Sequence, residues 1–136
     1  MYPLKEIQNS RSKGSWAEDQ ACIYLNQIHY QIIHRNFRCK RGEIDIIALC
    51  PEQGLVFIEV KSSANLLAGH PSLWVGAQKI KRIQQSAEVF LLNSCLTFQF
   101  IRFDLITLFQ TALPESPQIE HFINAFLPEG KNYRIM

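Results

Sequence analysis

The sequence predicts an α/β fold in which one mixed β-sheet is flanked by helices, with elements in the order αβββαβ. Three observations carry this reading. Apolar residues recur at helical spacing in two stretches, residues 14–30 and 75–92. Between and after them lie short runs rich in β-branched and aromatic residues, bounded by turn formers. The second helix separates two of those runs, which is the connection that parallel neighbours in a sheet require.

From Lys13-Gly14-Ser15 to Tyr30, the positions Ala17, Ala21, Cys22, Leu25 and Ile28 line one helical face, with Ser15 as N-cap and Glu18 as its capping-box partner. YQIIHRNF, residues 30–37, reads as a strand, and Arg38-Cys39-Lys40-Arg41-Gly42 turns it into a second strand, Glu43 to Leu49. The turn Pro51-Glu52-Gln53-Gly54 leads to a third strand, Val56 to Lys61. Residues 62–73 hold Gly69, Pro71 and several serines and read as a loop. In the second helix, residues 75–92, Ile80, Ile83, Ala87, Phe90 and Leu91 share a face, the pattern of a helix lying on a sheet. Thr97 to Phe109 is a long, almost continuously apolar strand, as befits a place deep in a sheet. Ile119 to Phe126 fits an edge strand better than an amphipathic turn of helix. The expected organisation is a loosely ordered segment over residues 1–13, one domain over 14–127 and a tail over 128–136.

The 136 residues suffice for one core. With 14 basic and 12 acidic residues the net charge is only +2, so any nucleic-acid argument rests on where the charges sit rather than on their sum. Cys22, Cys39, Cys50 and Cys95 form no CxxC pair or zinc spacing and read as reduced thiols. The N-terminus MYPLKEIQNSRSKGS lacks an apolar signal core and no apolar run is long enough to span a bilayer, so a cytoplasmic protein without membrane contact is expected.

Chemistry concentrates in the second and third strands. Asp45 sits inside GEIDIIALC, and Glu59 and Lys61 sit inside LVFIEVKS. Alternation places Glu43, Asp45 and Ile47 on one face, and likewise Phe57, Glu59 and Lys61. Two carboxylates and an ammonium would then converge. Acids about 6 Å apart repel by ~3 kcal/mol at an effective dielectric of ~20, and a divalent cation reverses that cost. Asp45 and Glu59 are therefore candidate ligands for Mg²⁺ or Mn²⁺, with the Val60 carbonyl as a further ligand. A salt-bridged face of a solvated sheet is the competing reading, but apolar neighbours on both sides of each acid mark central strands, where an unserved carboxylate is costly.

Arg41-Gly42-Glu43-Ile44-Asp45-Ile46-Ile47-Ala48 followed by Phe57-Ile58-Glu59-Val60-Lys61, with Ala17-Glu18 ahead and Arg102-Phe103-Asp104 behind, resembles the bacterial YraN family. That family is similar to archaeal Holliday junction resolvases and to the wider PD-(D/E)XK superfamily. The resemblance covers residues 14 to about 126 and implies a restriction-endonuclease-like αβββαβ core. It also implies a metal-dependent nuclease acting on DNA, double-stranded or branched, and a two-fold homodimer. Residue by residue, Asp45 matches the first metal-binding acid, Glu59 the second and Lys61 the motif lysine. Glu18 matches the extra acid that resolvase-like members carry on their first helix, as a support to catalysis and metal binding. The chain departs from the family pattern in having Ala17 where Gly is usual, and Ser62-Ser63 where a basic residue often follows the lysine.

Arg35, Arg38, Lys40, Arg41, Lys79, Lys81 and Arg82 are the cations available to track a phosphate backbone. No interleaved aromatics mark a surface for stacking single-stranded bases, which favours a duplex or branched substrate. Glu43 reads as a supporting residue at the strand entrance. Arg102 and Asp104 read as a mutual pair, and His29, His34, His70 and His121 as surface or loop residues. Phe122, Ile123, Phe126 and Leu127 are the apolar candidates for a dimer face or a covered core edge. A nucleic-acid-binding module that cuts nothing, serving a repair, recombination or uptake complex, is the alternative to an enzyme.

Overall fold

A computed structural model describes residues 13–63, 73–109 and 117–126, with side chains from Trp16 onward. The expected segment 1–13 is outside it apart from Lys13, as are His70, Leu127, the tail over 128–136 and most of the loop after the third strand.

Helix α1 spans Lys13–Gln27, followed by β1 (Gln31–Cys39), β2 (Gly42–Leu49), β3 (Gly54–Ser63), α2 (Ala77–Leu92), β4 (Phe100–Phe109) and β5 (Gln118–Phe122). The strands form one five-stranded sheet in sequence order. Only the β3–β4 pair is parallel, across the α2 crossover, and the other three neighbouring pairs are antiparallel. This is the mixed sheet that the helix-separated strands imply.

Two apolar cores lie on opposite faces of the sheet. Ala17, Ala21, Cys22 and Leu25 of α1 pack on Ile46, Ala48, Val56, Ile58, Ile106 and Leu108. Ile83 and Ala87 of α2 pack on Ile44, Ile47, Leu55, Phe57, Phe103 and Leu105. Both faces are covered, which explains why β3 and β4 are apolar almost throughout. Phe57 stacks on Phe103 across the parallel pair, with ring centroids 5.5 Å apart.

Element ends differ from the sequence reading where backbone pairing decides them. Lys13 already lies in α1, so Ser15 is inside the helix rather than its N-cap, and Glu18 is free to serve elsewhere. At its other end α1 closes through Tyr30 N–H on the Leu25 carbonyl at 2.9 Å, with His29 left-handed at φ 68°. β3 runs on through Ser62 and Ser63 because β4 pairs with it to the end, from Gly54↔Phe100 to Ser63↔Phe109. The same register starts β4 at Phe100 rather than Thr97. α2 begins at Ala77 with Gly76 as its N-cap. β5 stops at Phe122, since Asn124 turns the chain at φ 57° and sends Ala125 and Phe126 into the α2-side core.

Phe126 is therefore core, and Phe122 packs edge-on against Trp74 at 5.2 Å. Of the apolar group considered for a dimer face, Ile123 is the member left substantially exposed among the described residues. Cys22 and Cys50 are buried and Cys95 is exposed. No described helix is long and apolar enough to cross a membrane.

Candidate metal centre and nucleic-acid interface

The β2–β3 ladder covers Ile46–Leu49 against Leu55–Ile58 and stops there. Asp45 and Glu59 are the next residues on each strand, at the point where the two part. Opposite Asp45 on β1 sits Asn36, left-handed at φ 53°, with Arg35↔Ile46 and Phe37↔Ile44 paired on either side. The kink interrupts alternation. Ile46 faces the α1-side core, whereas Ile44 joins Ile47 in the α2-side core. The expectation that Glu43, Asp45 and Ile47 share a face thus gives way at Asp45. Glu43 lies on the exposed rim, 3.2 Å from Arg38.

The two acids meet. Asp45 lies close enough to Glu59 for their charges to couple, and it accepts the Val60 N–H at 2.8 Å, standing in for the ladder bond that β2 no longer supplies. Burial, reinforced by the Glu59 charge, pushes the Asp45 carboxyl up to about 8, so without a cation Asp45 holds its proton near neutral pH. Glu59 is 5 % exposed and takes its positive partner from α2, where Lys79 Nζ lies 2.7 Å from Oε2. That contact and the acid charges hold the Lys79 ammonium above its usual range against the opposing effect of burial.

Glu18 flanks the pair from α1. Burial and the Asp45 charge raise its carboxyl to about 7, and the Arg35 guanidinium opposes the rise from 3.8 Å. Its Oε1 is buried and lacks a hydrogen-bond donor among the described residues. Lys61 lies two residues past Glu59 on β3, half-buried and level with Thr107 of β4. No cluster of three His, Cys, Asp or Glu side chains around one point occurs among the described residues. A cation held here would take two carboxylate oxygens, with main-chain and water oxygens completing its shell. That donor set suits Mg²⁺, which keeps several waters and binds through one or two carboxylates. Val60 meets Asp45 through its N–H.

The cations divide into two groups. Arg35 is an internal partner, 2.7 Å from Asp19 with its side chain 12 % exposed, so the expectation that it tracks phosphate is corrected. Lys79 is engaged at Glu59. Arg38, Lys40 and Arg41 are exposed at the β1–β2 tip, and Lys81 and Arg82 on α2. The tip rests on α2: a Cβ added to Gly42, whose φ is +151°, would come within 3.2 Å of Arg82 Cβ. That close approach brings Arg41 and Arg82, distant in sequence, to one basic surface, with Arg82 three residues along α2 from the Lys79 that pairs with Glu59.

A second polar cluster, mostly unforeseen, lies at β4 and β5. Asp104, fully buried, accepts from Arg102 Nε and Nη2 at 2.9 Å each, from His121 Nε2 at 2.8 Å and from the Asn124 N–H at 3.1 Å. Arg102 also donates to the Tyr30 hydroxyl at 2.7 Å, and the Tyr24 hydroxyl lies 3.0 Å from His121 Nδ1. The Arg102–Asp104 pairing follows the sequence reading. His121, expected at the surface, is a buried member, and nothing in its spacing signals this. Burial alone would raise the Asp104 carboxyl, but the bonds from His121 and Arg102 hold it below the usual carboxylate range. The cluster satisfies itself and fastens β5 to the sheet.

Residues 17–108 match the profile described as "Uncharacterised protein family UPF0102". A UPF0102 protein of Pelobacter propionicus is 40% identical over 121 residues, covering 87% of this chain and 84% of the relative. One of Geobacter sulfurreducens is 41% identical over 114 residues, covering 83% and 87%. One of Caldicellulosiruptor saccharolyticus is 36% identical over 120 residues, covering 87% and 99%. The matched span contains α1 from Ala17 onward, the meeting acids, Lys61 and Lys79, and the chain belongs to the UPF0102, or YraN, family.

Proposed function

We propose that this protein is a metal-dependent endonuclease that hydrolyses phosphodiester bonds in double-stranded or branched DNA. The observation that carries the reading is the meeting of Asp45 and Glu59 where β2 and β3 part, beside an exposed basic surface. Two crowded acids, one of them holding a proton near neutral pH, are an arrangement a divalent cation relieves. Asp45 and Glu59 would hold Mg²⁺ or Mn²⁺, with the Val60 carbonyl as a third oxygen. A cation there supplies Lewis acidity at the scissile phosphate and lowers the pKa of a coordinated water. Lys61 is assigned to orient the attacking water or to stabilise charge on the phosphate, for which a compact ammonium suits. Glu18, whose buried Oε1 has no donor among the described residues, is assigned to accept a hydrogen bond from a water at the site. Arg38, Lys40, Arg41, Lys81 and Arg82 are assigned to the phosphate backbone on either side of the cut.

The test is incubation of the purified protein with labelled linear, nicked, flap and four-way DNA in Mg²⁺ or Mn²⁺. Cleavage by the native protein that disappears in Asp45→Ala and in Lys61→Ala is the expected result. A specific observation favours a second reading, a binding module that cuts nothing: Lys79 already gives Glu59 a counter-charge. On that reading DNA is bound equally with EDTA and in Asp45→Ala, and no substrate is cut.

A further inference from the structure

Glu59 is buried, so with no metal bound it still needs a cation beside it. Lys79 supplies one from the first turns of α2, its Nζ 2.7 Å from Oε2, while its own side chain stays 54 % exposed. The carboxylate is enclosed, whereas the lysine side chain is open to solvent along much of its length. Three residues further along the same helix is Arg82, against which the basic β1–β2 tip rests. A lysine leaving Glu59 would therefore enter the surface where a phosphate backbone is expected.

We propose that Lys79 is an exchangeable counter-cation of the acid pair: it competes with a divalent cation for Glu59 and, once displaced, pairs with a substrate phosphate. Metal occupancy and phosphate affinity are thereby coupled. This rests on the nuclease reading and deepens it by naming what controls entry to the site. The exchange follows from charge. A second cation at Glu59 repels the ammonium, and an arriving phosphate attracts it. The metal-free site meanwhile avoids an unpaired buried carboxylate. Coupling of this kind is reciprocal, so nucleic acid must tighten metal binding by the factor by which metal tightens nucleic acid.

Mn²⁺ is titrated calorimetrically into the full chain at pH 8.5, in the native protein and in Lys79→Gln, Lys79→Arg and Asp45→Asn. Removal of the competing ammonium is expected to tighten Mn²⁺ binding about fivefold in Lys79→Gln. Lys79→Arg, which keeps a charge, should stay within about twofold of the native protein, and Asp45→Asn should lose binding. Affinity for duplex DNA is then measured with and without Ca²⁺, and the enhancement by Ca²⁺ should be at least about threefold smaller in Lys79→Gln. Native Mn²⁺ binding through Asp45 that does not tighten in Lys79→Gln overturns the exchange and leaves the nuclease reading standing. An undiminished Ca²⁺ enhancement in Lys79→Gln overturns the phosphate half of the proposal. Absence of Mn²⁺ binding, or binding indifferent to Asp45→Asn, overturns both the exchange and the nuclease reading.

Discussion

Asp45→Asn removes one ionisable group from the acid pair while keeping its shape, since the amide oxygen can still accept the Val60 N–H. In the unfolded chain Asp45 titrates near 3.8; in the folded, metal-free protein it titrates at about 8. Between those values the native state binds more protons than the unfolded state, so stability falls as pH rises through this window. At ~1.4 kcal/mol per unit, a shift of about four units sets a ceiling of about 6 kcal/mol. Residual solvent access and relaxation of the pair bring the expected loss to about 2 kcal/mol. Asparagine escapes it. In EDTA, urea denaturation should find the two proteins nearly equal at pH 4.5 and Asp45→Asn more stable by about 2 kcal/mol at pH 9. Adding Mg²⁺ at pH 9 should stabilise the native protein and leave the variant unmoved. Parallel stability profiles for the two proteins from pH 4.5 to 9 would refute the claim that Asp45 and Glu59 crowd each other.

Arg41→Ala and Arg82→Ala should each weaken duplex binding and reduce the slope of log affinity against log salt by about 1, as measured by fluorescence anisotropy across salt concentrations; unchanged slopes would remove both from the interface. Gly42→Ala forces a Cβ to 3.2 Å from Arg82 Cβ at a φ that side chains avoid, so denaturant titration should find a loss of about 1–2 kcal/mol. Asp104→Ala leaves the buried Arg102 unpaired and should cost about 3 kcal/mol, whereas a loss under about 1 kcal/mol would mean that the cluster does not hold β5. Because the folded Asp104 carboxyl lies below its unfolded value, its contribution is present above the usual carboxylate range and is lost as pH falls through the depressed value. His121→Ala, which removes one donor from Asp104, should therefore begin acid unfolding at higher pH than the native protein, as followed by circular dichroism.

The elements were legible because their signals are local. Ala17, Ala21 and Leu25 repeat at the spacing of a helix face, and all three are core under the sheet. The apolar run around Phe103 and Leu105 marks a strand covered on both sides, which β4 is. Asp45 and Glu59 were legible as a pair because one turn joins their strands. Alternation was an incomplete guide to how they meet: it assumes an unbroken ladder, and the ladder ends one residue before each acid, beside the Asn36 kink. Arg35 and Lys79 read as surface cations because a sequence records a charge but not the partner a distant element brings to it. Each is set against an acid by the packing of a helix, Arg35 against Asp19 of α1 and Lys79 of α2 against Glu59 of β3.

The order of helices and strands, the parallel crossover pair and the acids on adjacent strands follow from periodicity and turn chemistry within short windows of chain. The neighbours of each charge do not, because they come from residues tens of positions apart and depend on register, strand divergence and helix placement. His121 beside Asp104, Arg82 against Gly42 and the ammonium of Lys79 on a buried carboxylate exist only once both faces of the sheet are closed.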